Sequence, residues 1–159
     1  MIKKDKSKFN VSQTIEGKLK RTHNSILFAS ELECDYYKYL LQEQEKGLIK
    51  EIILQPKYLL QEKYIRKCDN KRILAIYYVA DFKTIDNFGH EKVIDTKGMP
   101  KSDGILKRKM MEFLYPDVDF HWISWSQCDG GWVDYDLLME NRRARKKVKE
   151  GKNKAKGVG

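Results

Sequence analysis

Residues 73–96 constrain the fold most, because they read as a hairpin whose register is set by its own turn. Ile73, Leu74, Ile76, Tyr77, Tyr78, Val79 and Phe82 make a segment rich in β-branched and aromatic side chains, which predicts a strand over 73–82. His90 to Thr96 predicts its partner. Between them, Asp86-Asn87-Phe88-Gly89 is a turn signal ending in a residue that takes φ > 0 without steric cost. A three-residue loop at 87–89 puts Asp86 across from His90, and counting outward puts Asp81 across from Asp95. Lys97 lies two residues beyond Asp95 and therefore on the same strand face.

Two carboxylates facing each other repel, with Cβ atoms about 4.5–5.5 Å apart in such a pair. A divalent cation between them removes the repulsion, and hard oxygen donors are what Mg²⁺ takes. Lys97 beside that cation would orient a water or stabilise charge on a phosphate. The plainer alternative is that Asp81 and Asp95 are strand-end acids, solvated or paired with Lys83 and Lys97. A register slip of one residue would also separate them.

A third acid comes from an upstream helix. Asn24 or Ser25 predicts the cap of a segment running through Ser30 to about Lys46, with Gly47 as the stop. Leu32, Tyr36, Tyr39, Leu40 and Glu43 recur at helical spacing, and Glu33 flanks that stripe. Glu31 and Asp35 sit about 200° round the helix from Glu33, so only one of the three can face the hairpin. A solvated helix face is the ordinary alternative for any one of them.

The remaining elements follow in order. Strands are predicted over Leu48 to Gln55 and Lys57 to Ile65, a helix from Ser102 or Asp103 to about Tyr115 stopped by Pro116, and a strand over Val118 to Ser126. One α, four β, then α and β predict a single α/β (α+β) domain, a central mixed sheet flanked by helices. The boundaries expected are a basic extension over 1–22, the domain over 23–135, and a basic helix or tail over 136–159.

That order of motifs resembles the PD-(D/E)XK nuclease superfamily, with its restriction-endonuclease-like fold, and more narrowly an uncharacterised phage and prophage family within it. The residues that carry the resemblance are Phe28, Ser30, Glu33 and Tyr37, then Leu54-Gln55-Pro56, Tyr78, Ala80-Asp81-Phe82, Asp95-Thr96-Lys97-Gly98, and Leu106-Lys107-Arg108-Lys109 leading to Tyr115-Pro116. Ala80 stands where the superfamily's name has proline. The resemblance implies Glu33, Asp81 and Asp95 as acidic site residues, Lys97 as the catalytic lysine, and the Thr96 carbonyl as a further metal ligand. It implies a Mg²⁺-dependent DNA endonuclease, with Mn²⁺ able to substitute, acting on duplex or branched DNA such as a Holliday junction. It further implies a homodimer working beside phage replication, recombination or packaging proteins in the cytoplasm of a bacterial host. Lys107 and Lys109 are expected to contact phosphate, or else to form a solvated basic face.

Charge distribution agrees with a polyanionic partner. The net charge of +9 is concentrated at the ends: residues 1–21 carry +5 and residues 140–159 carry +7, leaving the body at −3. Arg142, Arg143, Arg145, Lys146 and Lys147 head the C-terminal run, expected to begin as a helix after Asp134 and grade into a disordered tail. Cations at such ends gain affinity for nucleic acid through counterion release, without reading sequence. A non-catalytic DNA-binding or packaging accessory protein is the competing expectation, and an RNA-directed nuclease or binder is a third. Three widely spaced cysteines (Cys34, Cys68, Cys128) offer neither a disulfide framework nor a zinc site and suggest a reducing compartment. No apolar stretch long enough for a membrane span, and no signal-peptide pattern, is evident. Trp122, Trp125 and Trp132 are expected to pack in the core or at a dimer contact.

Overall fold

The computed structural model describes residues 12–156, with side chains to residue 150. Lys3, Lys4, Lys6 and Lys8 of the basic N-terminal run lie outside the described residues, as do the side chains of Lys152, Lys154 and Lys156. In chain order the elements begin with α1 (Ile15–Lys20), the hairpin β1 (Thr22–His23) and β2 (Ile26–Leu27), and α2 (Glu31–Glu45). Seven strands follow: β3 (Glu51–Leu54), β4 (Lys57–Gln61), β5 (Tyr64–Arg66), β6 (Lys71–Ile73), β7 (Ile76–Val79), β8 (Phe82–Ile85) and β9 (Glu91–Thr96). Then come α3 (Ser102–Leu114), β10 (Asp119–Ser126), a 3₁₀ turn over Gln127–Asp129, β11 (Gly131–Asp134) and α4 (Tyr135–Lys156).

A five-stranded mixed sheet, ordered β11-β10-β9-β8-β3, forms the centre of this α+β domain. β3, β8 and β9 run antiparallel in sequence, and α3 crosses over so that β10 returns parallel to β9. Helices cover both faces. Phe28, Cys34, Tyr36, Tyr37, Leu40, Phe82 and Ile94 make the core under α2. Leu60, Tyr78, Ala80, Val93 and Met111 make the core under α3. Val93 and Ile94 thus point to opposite faces of β9, as the period-2 pleat requires.

The hairpin register expected from the turn is the one found. Phe82 pairs with Ile94 and Ile85 with Glu91, and the Asp86 N–H donates to the His90 carbonyl at 3.1 Å. The predicted strand over 73–82 is corrected: it is shared among the end of β6, all of β7 and the start of β8, with the break before β8 at Ala80–Asp81. β7 pairs with β4 in a separate ribbon, whereas β8 joins the central sheet. The break faces a second one at Gln55, which has φ 51°, followed by Pro56. The Gln55 N–H donates to the Asp81 carbonyl and the Ala80 N–H to the Pro56 carbonyl, at 2.9 and 3.1 Å, so the two breaks hold each other. One long ribbon is thereby bent out of the sheet, its root at Asp81. The strand predicted over Lys57 to Ile65 likewise ends at Gln61, and β5 and β6 form a hairpin of their own at the ribbon's far end.

The caps also differ from expectation. Asn24 and Ser25, at φ 48° and 63°, form the turn of the β1–β2 hairpin rather than a helix cap. Ser30 caps α2: its Oγ accepts the Glu33 N–H at 3.1 Å. The packed structure starts before residue 23, because Arg21 is buried and its Nη1 donates to the Phe28 carbonyl at 2.6 Å. At the other end the helix expected after Asp134 is found, and it continues for 22 residues to Lys156 where a disordered tail was expected to take over. Its Lys, Arg, Ala and Glu residues are good helix formers and contain no proline. Leu138, fully buried, fixes its first turns. No helix among the described residues is long and apolar enough to cross a membrane.

Candidate active site

The break at Ala80–Asp81 and the end of β9 bring the expected site residues to one place. Lys97 Nζ lies 2.7 Å from Asp95 Oδ2, with Asp95 only 3 % exposed. Asp81 sits one residue before β8, across from Asp95 by the register. Its carboxylate, however, is drawn to Thr96: Oδ2 accepts both the Thr96 N–H and the Thr96 Oγ1–H at 2.7 Å. Lys83, a candidate partner for Asp81, instead pairs with Glu91 at 2.8 Å.

Glu33 is the acid that α2 turns inward, while Glu31 and Asp35 are exposed. It is 4 % exposed, and its Oε2 accepts the Ala29 N–H at 2.9 Å. With Ser30 capping the Glu33 N–H, this is a capping-box arrangement that reaches one residue further back than usual. Glu33 therefore locks the helix start as well as facing the site.

Electrostatics tie the acids together. Burial pushes the Glu33 carboxyl up from its ordinary range and the Asp95 charge adds to it, against the Ala29 and Ser30 amides and Lys97. Asp81 is raised well above the usual carboxylate range, first by burial and then by Asp95 and Glu33; the bonds from Thr96 oppose this only in part. Three carboxylates thus share a poorly solvated region with one lysine.

Tyr78 and Trp122 complete the surroundings of Asp95. The Trp122 Nε1–H donates to the Tyr78 hydroxyl at 2.8 Å, and that hydroxyl donates to Asp95 Oδ2. Trp122 is also the β10 residue paired with Asp95 in the sheet. Lys97 Nζ and Arg108 Cζ lie 5.4 and 4.6 Å from the Trp122 ring centre, within cation–π range. Burial, then the Asp95 charge, holds the Tyr78 phenol strongly in its protonated, donating form.

The sequence marks Tyr78 as a strand residue and as part of the resemblance, with no role at the site; of the core or dimer packing expected for Trp122, its burial shows the core. Neither their bond nor the Thr96–Asp81 clasp has a local sequence signal, since each joins residues 15 to 44 positions apart. Trp125 is half exposed, its ring edge-on to that of Trp132 with centroids 5.0 Å apart.

Among the described residues, no three His, Cys, Asp or Glu side chains converge on one point as an enclosing set for a metal ion. Asp81 Oδ2 faces Thr96, and Asp95 Oδ2 faces Tyr78 and Lys97. The chemistry of the donors nonetheless suits a hard divalent cation. Three carboxylates against one lysine leave an excess of two negative charges when ionised, and the raised carboxyls mark that excess as uncompensated.

The expected nucleic-acid contacts are distributed unevenly. Lys107 Nζ donates to the Tyr77 carbonyl at 3.1 Å and so braces the bent ribbon, while Lys109 is exposed. On α4, Arg142, Arg143 and Lys147 are exposed, and Lys146 lies 3.8 Å from Glu150. Arg145 is committed to the body, its Nη1 and Nη2 reaching Asp129 at 2.7 and 2.9 Å. A shallow concavity of about 740 Å³, lined by Leu32, Lys38, Tyr39, Trp125 and Trp132, includes none of the four site residues.

A family model described as Protein of unknown function (DUF1064) matches residues 16–128, which takes in Glu33, Asp81, Asp95 and Lys97. No curated protein and no solved structure matches the chain.

Proposed function

The chain belongs to the DUF1064 family, and we propose that it is a divalent-metal-dependent endonuclease that hydrolyses DNA phosphodiester bonds. The observation that carries this reading is the Lys97–Asp95 contact at the open end of the β8–β9 hairpin, with the Asp95 charge close enough to raise the proton affinity of both Asp81 and Glu33. It is supported by element order: a helical glutamate on α2, then β3, β8 and β9 antiparallel, a crossover helix, and β10 parallel to β9. That is the order in which the PD-(D/E)XK resemblance places its acids and lysine.

Asp81, Asp95, the Thr96 carbonyl and Glu33 are the groups that would hold Mg²⁺ or Mn²⁺. The cation would supply Lewis-acid stabilisation of the phosphate and a nucleophile at neutral pH. Lys97 brings a positive charge to where negative charge builds on the phosphate oxygens. Glu33 would reach that cation from α2, its Oε2 held in place by the Ala29 N–H. Tyr78 fixes one Asp95 oxygen, so that carboxylate cannot rotate freely during the reaction. Branched substrates, a homodimer, a cytoplasmic site of action and phage partners remain part of the proposal through the resemblance alone.

A second reading, a DNA-binding accessory protein without catalysis, is favoured by the exposed Arg142, Arg143 and Lys147 on α4. The deciding experiment incubates labelled linear duplex, single strand, flap and four-way junction with the protein, with and without Mg²⁺ or Mn²⁺, beside Asp95→Asn. Metal-dependent cuts lost in the variant uphold the nuclease; cuts restricted to the junction identify a resolvase. Salt-sensitive binding without cuts, equal in wild type and variant, rejects the nuclease for the accessory protein.

A further inference from the structure

The ribbon that bends away at Asp81 leads to a hairpin the reaction proposed above does not use. Among the described residues β5 and β6 pair only with each other, in the register Tyr64–Ile73, Ile65–Arg72 and Arg66–Lys71. Every residue from 62 to 72 is exposed, so neither face of this hairpin packs on the body. An isolated two-stranded hairpin in water is marginal at best. Its shape comes from its own tip: Asp69 takes a two-pronged bond from Arg66 and the Lys71 N–H at 3.2 Å, and Asn70 turns the chain at φ 54°.

Charge supplies the clue to its partner. Residues 62–74 hold Lys63, Arg66, Lys67, Lys71 and Arg72 against Glu62 and Asp69, a net of +3 in a body that is otherwise negative. Asp69 is engaged by Arg66, so Lys63, Lys67, Lys71 and Arg72 carry the outward field. Lysines on an exposed strand edge can serve merely to prevent edge-to-edge association. Here the arm is rooted in the site: β7 contributes Tyr78, which donates to Asp95, and the ribbon's bend is at Asp81 itself.

We propose that the β5–β6 hairpin is a DNA-binding arm that grips the phosphate backbone of duplex DNA beside the bond positioned at Asp81 and Asp95. The proposal rests on the DNA reading above for the identity of the partner. A two-stranded ribbon fits the major groove, about 12 Å wide. Twelve residues separate Pro56 from Cys68 at the tip, which at roughly 3.3 Å each bounds the reach at about 40 Å. That is close to one turn of B-DNA, about 34–36 Å. The arm's cations therefore act on phosphates up to a helical turn from the cut, and Lys107, bonded to the Tyr77 carbonyl, sets the angle at which it leaves the body.

The test measures binding of a 30-base-pair duplex in EDTA over a range of salt by fluorescence anisotropy. It compares the full chain with Lys63→Gln/Lys67→Gln/Lys71→Gln/Arg72→Gln and, as a control, with the α4 variant Arg142→Gln/Arg143→Gln/Lys147→Gln. Each lost phosphate contact lowers the slope of log K against log salt by about 0.9. The arm variant is expected to lose about two to four units of slope and at least about tenfold in affinity at 0.1 M salt. All four positions are exposed, so unchanged circular dichroism is expected; should the quadruple variant misfold, single Lys71→Glu and Arg72→Glu reversals give the same reading. An unchanged slope in the arm variants overturns the proposal, as does a loss confined to duplex RNA of equal length. Binding is read without metal, so the two readings fail separately. If wild type cuts DNA but the arm slope is unchanged, only the arm falls; if the slope drops but nothing cuts, only the nuclease falls.

Discussion

Lys97 Nζ sits 2.7 Å from Asp95 Oδ2, and the same oxygen accepts the buried Tyr78 hydroxyl. One carboxylate oxygen is thus fixed by two donors, a neutral one from β7 and a charged one from the residue that follows β9. That arrangement holds Asp95 in place while leaving Lys97, a quarter exposed at its side chain, accessible to a substrate.

Lys97→Ala should abolish most cleavage while sparing DNA binding. Loss of one preorganised positive donor costs about 10²- to 10³-fold in kcat. Single-turnover cleavage and anisotropy binding, run on the same preparation, check this. Cleavage within about threefold of wild type would remove Lys97 from the chemistry.

Tyr78→Phe should act through Asp95 rather than on substrate. It deletes the donor to Asp95 Oδ2 and leaves the buried Trp122 Nε1–H without its acceptor, a cost of roughly 1–3 kcal/mol. Urea unfolding should report that loss. The Mg²⁺ concentration for half-maximal cleavage should rise as well, which a purely structural role for Tyr78 would not require.

Asp81→Asn and Glu33→Gln should stabilise the protein at neutral pH while destroying activity. Both carboxyls are raised in the folded state. Such a group favours folding while protonated, and that contribution is lost as pH rises from the ordinary carboxylate range through the raised folded value. Each amide variant should therefore melt higher than wild type at pH 7 to 8, the gap closing towards pH 4. Added Mg²⁺ should raise the wild-type melting temperature, by an amount equivalent to about 2.7 kcal/mol at a hundred times the dissociation constant, and leave Asp81→Asn little changed.

Asp129→Asn should loosen the C-terminal helix. Asp129 is held well below the usual carboxylate range, first by Arg145 and then by Ser126, with Asn141 adding to it. A depressed carboxyl contributes stability above its unfolded value and loses it as pH falls through the ordinary carboxylate range and below. Amide exchange in α4 should quicken in the variant at pH 7, and in wild type only on acidification.

The α2, α3 and β10 elements, the hairpin register, the rule that only one of Glu31, Glu33 and Asp35 faces the site, and the proximity of Asp95 to Lys97 were legible in the sequence. Each depends on local rules: a turn that sets pairing, a pleat of period two, a helix of period 3.6. What tertiary structure decided lies at longer range. The break of the predicted strand at Ala80–Asp81 follows from its pairing with Gln55 and Pro56 across the ribbon. The Tyr78–Asp95 bond spans 17 positions and the Trp122–Tyr78 bond spans 44. Asp81 meets Thr96 rather than Asp95 because two donors there outcompete a like charge. The helical C-terminus looked like a solvated tail because its charge pattern hides the anchors, Leu138 in the core and Asp129 across the turn from Arg145. Local sequence fixes which way a side chain leaves the backbone; only the packed sheet determines which distant group it meets.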